Sequence, residues 1–182
     1  MAVRRHHYER AFESYLTRRR LAYIAFEEAR DALLASPARL RTGCDDAGGA
    51  LKSFDFVLYT PNGNLLLDVK GRRVSGGRLE SWATQDDVSS LLTWERLFGE
   101  GFRAGLVFVY WRDAEMHSAL FEETFEHDGR WYAVRLALIG EYAQRMRVRS
   151  PKWRTVDLLT PDFDAIARPL DPEWSSDPLQ AR

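Results

Sequence analysis

One stretch constrains this chain more than any other: residues 54–70, two apolar runs on either side of Pro61-Asn62-Gly63. Pro presets its own φ and Gly tolerates a positive one, so these three residues read as a turn. The flanking runs, 54–60 and 65–70, read as the two strands of a β-hairpin. The second run ends in Asp68-Val69-Lys70. Residues two apart on a strand share a face, so Asp68 and Lys70 point one way with Leu66, while Val69 points the other way with Leu65 and Leu67. A strand this apolar belongs in the interior, where charges are costly unless paired or bound to metal. A lone Asp-x-Lys is explained simply as a salt bridge near a sheet edge. Asp55, at the start of the partner strand, adds a second acid. A two-residue loop at Asn62-Gly63 puts Asp55 opposite Lys70 on the same face; a three-residue loop needs a bulge to do so.

The rest of the chain frames this hairpin. Residues 6–20 read as a helix, because Tyr8, Ala11, Phe12, Tyr15 and Leu16 form one apolar stripe. Arg18-Arg19-Arg20 suit the negative end of its dipole. Residues 21–26 read as a strand and 27–36 as a brief helix stopped near Pro37; a flexible connection follows over 42–52. Residues 85–98 read as a helix with Thr84 as N-cap, Asp86 and Asp87 in its first turn, and Gly99 and Gly101 ending it. Residues 104–111 are nearly all apolar, as in a strand buried on both faces. A second hairpin is expected over 117–139, turning at His127-Asp128-Gly129. A short helix over 141–148, a strand over 153–159 and a helix starting at Thr160-Pro161-Asp162 complete the reading. The order predicts an α/β fold with a mixed central sheet. One domain is expected over 1–170, with a loose tail over 171–182.

Composition narrows the class. A length of 182 residues suits one domain with a real core, and 45% hydrophobic residues are ordinary for a globular chain. The formal net charge of -1 gives no support for nucleic-acid binding. Local charge does: the cluster Lys70, Arg72, Arg73 and Arg78 abuts the candidate site, whereas the arginines at 4–5, 18–20 and 145–154 read as solvated faces. The single cysteine, Cys44, permits neither an internal disulfide nor a cysteine zinc cluster. No apolar run is long enough for a signal peptide or a membrane span, so the cytoplasm is the expected location.

The charged residues suit one chemistry. Two carboxylates, Asp55 and Asp68, and a backbone carbonyl make an all-oxygen site for a hard cation such as Mg²⁺. Such a metal lowers the pKa of a bound water and stabilises charge on a phosphate. Lys70 can orient or deprotonate that water and oppose the developing negative charge. Glu9 lies at the border of the first helix's stripe and can reach the same place, while Glu13 lies further out.

Glu9, Asp55 and Asp68-Val69-Lys70 resemble the E…D…(D/E)-x-K signature of the PD-(D/E)xK nucleases, a superfamily that includes restriction enzymes and the archaeal Holliday-junction resolvases. The resolvases are the nearest comparison, and the likeness covers roughly residues 6–111. The superfamily more often has Glu where Asp68 stands. The resemblance implies a restriction-endonuclease-like αβββαβ core with C-terminal hairpin and helix additions. It implies Glu9, Asp55, Asp68 and Val69 as metal ligands, Lys70 as the group assisting the water, and Gln85 as the polar residue completing the site. It also implies DNA as partner, gripped at its phosphates by Arg72, Arg73 and Arg78. Nucleases of this fold often form homodimers, and a homodimer is compatible with the sequence. More narrowly, His7-Tyr8-Glu9-Arg10-Ala11-Phe12-Glu13 is similar to the H-Y-E-x-A-F-E motif that names the HYExAFE group of bacterial proteins, and Lys52-Ser53-Phe54-Asp55-Phe56 and Asp68-Val69-Lys70-Gly71-Arg72 match that group too.

Two other readings compete with a nuclease. One is a non-catalytic binding module on the same fold, which the neutral net charge favours. The other is a partner-binding protein using Phe121, Phe125, Trp131 and Tyr132 as an interface, although core packing explains these aromatics as well.

Overall fold

The computed structural model describes residues 6–26, 51–74, 79–112 and 123–170. The sequence-expected helix over 27–36, Arg78, most of the first arm of the second hairpin and the tail over 171–182 lie outside the described residues.

The chain opens with α1 (His6–Arg18), whose Ala11, Phe12, Tyr15 and Leu16 are all buried. Arg20, at φ 56°, turns the chain into β1 (Ala22–Ala25). Then come β2 (Phe56–Thr60) and β3 (Gly63–Arg73), the expected hairpin with its second strand longer at both ends. A two-residue strand β4 (Ala83–Thr84) leads directly into α2 (Gln85–Phe98), followed by β5 (Phe102–Arg112). This is the expected αβββαβ order with one short strand added. The additions are β6 (Phe125–His127), β7 (Arg130–Leu138), α3 (Ile139–Arg145), β8 (Arg147–Ser150), β9 (Thr155–Asp157) and α4 (Thr160–Ile166).

The main sheet has the order β1-β2-β3-β5-β7-β6. Only β3 and β5 pair in parallel, so the sheet is mixed, as expected. Its two faces carry two cores. Leu65, Leu67, Val107 and Val109 pack under α1. Leu66, Ala104, Leu106, Phe108 and Tyr110 pack under Val88, Leu91 and Trp94 of α2, Tyr142 of α3 and Phe163 of α4. The alternation along β3 thus sends Leu66 and Leu65 to opposite helices, as its sequence requires.

Two expectations are corrected. The first is the hairpin register: Thr60 pairs with Gly63 and Phe56 with Leu67, so the loop is Pro61-Asn62. A loop at Asn62-Gly63 would place Pro61 inside the ladder, where it has no N–H to give. Continuing the observed register brings Asp55 beside Asp68 instead of Lys70. The difference is two residues, so the face is kept. The second is the helix expected over 141–148, which ends at Arg145; Arg147 and Val148 belong to β8 and pair with Asp157 and Val156 of β9. Together β4, β9 and β8 form a separate three-stranded sheet.

Candidate active site

Asp55 is fixed from three sides. Its N–H donates to the Leu67 carbonyl at 2.8 Å, its carbonyl accepts from the Phe26 N–H at 2.8 Å, and its carboxylate accepts from the Val69 N–H at 2.6 Å. That last bond turns the side chain onto β3 next to Asp68. The two carboxyl groups hydrogen-bond, and both titrate above the ordinary carboxylate range. For Asp68 the main cause is burial, opposed by Lys70 and reinforced by Asp55, and its pKa is pushed up to about 7. For Asp55 burial again leads, and the nearby Glu9 carboxylate adds to it.

Lys70 lies between two acids, its Nζ 2.7 Å from Asp68 Oδ2 and 3.1 Å from Asp87 Oδ2. Burial pushes its pKa down, but Asp68 and Asp87 outweigh this and hold the ammonium above its ordinary value. Lys70 is therefore a fixed positive charge, better suited to opposing negative charge than to taking a proton. Asp87 is displaced in the opposite direction. Burial pushes it up, yet Lys70, Lys52 and the Thr84 bonds outweigh that and hold its carboxyl well below the usual range.

Asp87 reaches the site because α2 begins there. Thr84 caps the helix, its Oγ1 accepting from the Asp87 N–H at 3.1 Å while its own N–H donates to Asp87 Oδ2 at 2.9 Å. This reciprocal capping box satisfies two backbone donors and fixes the Asp87 carboxylate. Lys52 joins from the opposite side, with its Nζ 2.9 Å from Asp87 Oδ1 and 3.0 Å from Thr84 Oγ1. The Lys52 backbone is tied to α2 as well: its N–H donates to Ser90 Oγ at 3.1 Å and its carbonyl accepts from Trp94 Nε1 at 2.7 Å. Neither Lys52 nor Asp87 was singled out as a site residue in the sequence. The available signal was Thr84-x-x-Asp87, a capping box that puts an acid one turn from the end of β4.

Glu9 is delivered by its neighbours. Trp111 Nε1 donates to the Tyr8 hydroxyl at 2.5 Å, and His7 Nδ1 lies 3.0 Å from the Tyr132 hydroxyl. The Tyr8 ring covers Gly71 so closely that a Cβ there would overlap it. His7 and Tyr8 thus pin the start of α1 to the ends of β3, β5 and β7. Desolvation, with Arg130 and Arg10 nearby, lowers the His7 pKa and favours its neutral ring.

These residues line one cleft of about 450 Å³: Glu9, Lys52, Asp55, Asp68, Val69 and Lys70, with Tyr8, Arg72, Trp82, Thr84 and Asp87 around them. Gln85 is not among the lining residues; its N–H donates to the Arg154 carbonyl at 2.8 Å. Glu13 also lies away from the cleft. Arg72 turns inward, only 8% exposed, donating to the Gly71 and Trp82 carbonyls with its guanidinium 3.9 Å from the Trp82 ring centre. Arg73 is exposed and lies over Trp111.

The donor chemistry fits a hard cation, since the carboxylates that meet here offer only oxygen and burial raises both pKa values, with Glu9 adding to Asp55 and Asp55 to Asp68. The arrangement is not a closed cage: among the described residues no three His, Cys, Asp or Glu side chains stand together closely enough to hold a metal ion. Asp68 is instead neutralised by Lys70. No helix among the described residues is long and apolar enough to cross a membrane.

Comparison with known proteins gives little at the level of sequence. No protein-family model matches the chain, and no curated protein does. Among solved structures it is similar to Hjc, a Holliday junction resolvase of the archaeal hyperthermophile Archaeoglobus fulgidus, at 16% identity over 88% of this chain and 92% of that one, with a TM-score of 0.48. A likeness of that size says nothing of activity.

Proposed function

We propose that this protein is a metal-dependent nuclease that hydrolyses DNA phosphodiester bonds in repair, recombination or genome defence, with the motifs of the HYExAFE group and a site of the PD-(D/E)xK kind. The observation that carries this reading is the convergence of Glu9, Asp55, Asp68 and Lys70, from α1, β3 and the residue just before β2, in one cleft. Glu9, Asp55, Asp68 and the Val69 carbonyl would hold Mg²⁺ or Mn²⁺, which when bound acidifies a water and screens phosphate charge. The chain's own residues do the rest. Lys70, kept protonated by Asp68 and Asp87, faces the place where negative charge develops on the phosphate. Asp87 keeps Lys70 aimed, Lys52 offers a second ammonium on the cleft wall, and Tyr8 keeps Glu9 in reach.

The test is a panel of linear, circular, single-stranded and branched DNA incubated with Mg²⁺, Mn²⁺ or EDTA. Cleavage with metal and none with EDTA is expected, and Lys70→Ala should abolish it while circular dichroism stays native. Failure to cut every DNA form with either metal sinks the reading. A non-catalytic binding module is the second reading, favoured by the absence among the described residues of a metal-ready group of three. Metal titration separates the two, because only the nuclease needs its melting temperature or DNA affinity to respond to the cation.

A further inference from the structure

Beyond the cleft, the end of the main sheet carries a second constellation. Arg73 of β3 pairs in register with Trp111 of β5, which pairs in turn with Tyr132 of β7. The Arg73 and Arg130 guanidinium groups lie 5.1 Å and 5.2 Å from the centre of the Trp111 ring. His7 meets the same ring edge-on at 5.6 Å. Arg10 is exposed on α1, one residue beyond Glu9, and it lies near enough to His7 and Tyr132 to influence both. Trp111 also donates to Tyr8, a wall residue of the cleft. Acids in this neighbourhood include Asp128, in the β6–β7 turn and 3.5 Å from His127, and Glu9 and Glu13, which flank Arg10 on α1. Two guanidinium groups, from β3 and β7, thus flank an aromatic floor that begins where the cleft ends, and a third, Arg10 of α1, stands near its His7 and Tyr132 margin.

We infer that this rim, Arg73 and Arg130 over Trp111 with Arg10 beside it, is where the phosphate backbone of duplex DNA lies as it leaves the cleft. The inference rests on the nuclease reading for its ligand, and charge complementarity identifies the occupant: a polyanion whose scissile phosphate sits at Lys70 must continue past Tyr8. Guanidinium groups bind phosphate through planar, charge-assisted hydrogen bonds, and stacking on indole keeps them oriented. The chain's net charge of -1 makes such a local concentration the means by which a polyanion could be held.

The experiment measures binding of a fluorescent 30-base-pair duplex in EDTA, where no cleavage intervenes, across a salt titration. Each arginine contacting a phosphate should contribute about 0.9 to the slope of log affinity against log salt. Arg10→Gln should therefore lower the slope by about 0.9, and Arg10→Gln with Arg130→Gln by about twice that. Lys152→Gln, in the β8–β9 turn and over Trp153 instead of Trp111, should leave the slope unaltered. Arg10 is exposed, so its single variant keeps the test valid even if Arg130→Gln perturbs the fold. Native slopes in both arginine variants overturn the inference, as does an equal fall with Lys152→Gln. Native protein that cuts DNA while the variants keep its slope leaves the nuclease reading standing and removes the rim. Native protein that binds with the expected slope but never cuts does the reverse.

Discussion

At the scale of single residues, the site depends on contacts that leave no spare volume. Gly71 lies beneath the Tyr8 ring, so Gly71→Ala should push the start of α1 away and cost about 1–3 kcal/mol, as overpacking does. Urea denaturation of Gly71→Ala, Tyr8→Ala and the double variant checks this; the double variant should be more stable than the sum of the singles implies, because removing the ring removes the clash. Asp87 supplies one of the two carboxylates on Lys70. Asp87→Asn should lower kcat with little change in KM, and should move the basic limb of the pH–rate profile to lower pH, since Lys70 then keeps only Asp68 to hold its proton. An unmoved basic limb would mean that Asp87 merely caps a helix.

At the scale of elements, α2 acts through its first turn. Thr84→Ala removes the hydroxyl that accepts from the Asp87 N–H and from Lys52, and should cost about 1 kcal/mol in thermal or denaturant unfolding. Thr84→Ser should restore most of it, because the hydroxyl returns. The hairpin of β2 and β3 acts through its loop. Asp55 meets Asp68 because Pro61 cannot join the ladder, and a loop with Gly at that position frees the alternative register in which Asp55 faces Lys70. The end of α3 illustrates the opposite lesson. Residues 147–150 have nothing in their own pattern that forbids another turn of helix; pairing with β9 makes them a strand.

At the scale of the molecule, the site is a liability that the rest of the fold carries. Asp68 has a folded pKa of about 7 against an ordinary value of 3.8, so the folded state binds its proton more tightly. Its contribution is present below 3.8 and is lost as pH rises to about 7, so in EDTA stability should fall across that window, by an amount on the order of a few kcal/mol. Asp87 acts with the opposite sign: its depressed pKa gives stability that is present above 3.8 and lost in stronger acid. Denaturant midpoints between pH 4.5 and 7.5 test this, and Asp68→Asn should flatten the decline. Because a metal must displace the Asp68 proton, Mg²⁺ should raise the midpoint more at pH 8 than at pH 5.5. An equal rise at both values would remove Asp68 from the ligand set.

Features that depend on neighbours along the chain were legible in residue order. The α1 stripe, the alternation that sets Asp68 and Lys70 on one face and Val69 on the other, the Thr84 cap and the buried β5 all follow from local periodicity and turn chemistry. The acids and the lysine were legible for the same reason, since charge inside an apolar strand demands an explanation wherever that strand lies. Contacts between residues far apart required the tertiary structure: that Asp55 stands beside Asp68, that Asp87 and Lys52 complete the charge ladder, that Tyr8 makes Gly71 obligatory, and that Arg73 and Arg130 meet at Trp111. Each is a contact across a sheet or between helix and sheet, fixed by volume and register, and neither quantity is written in the order of residues along one element.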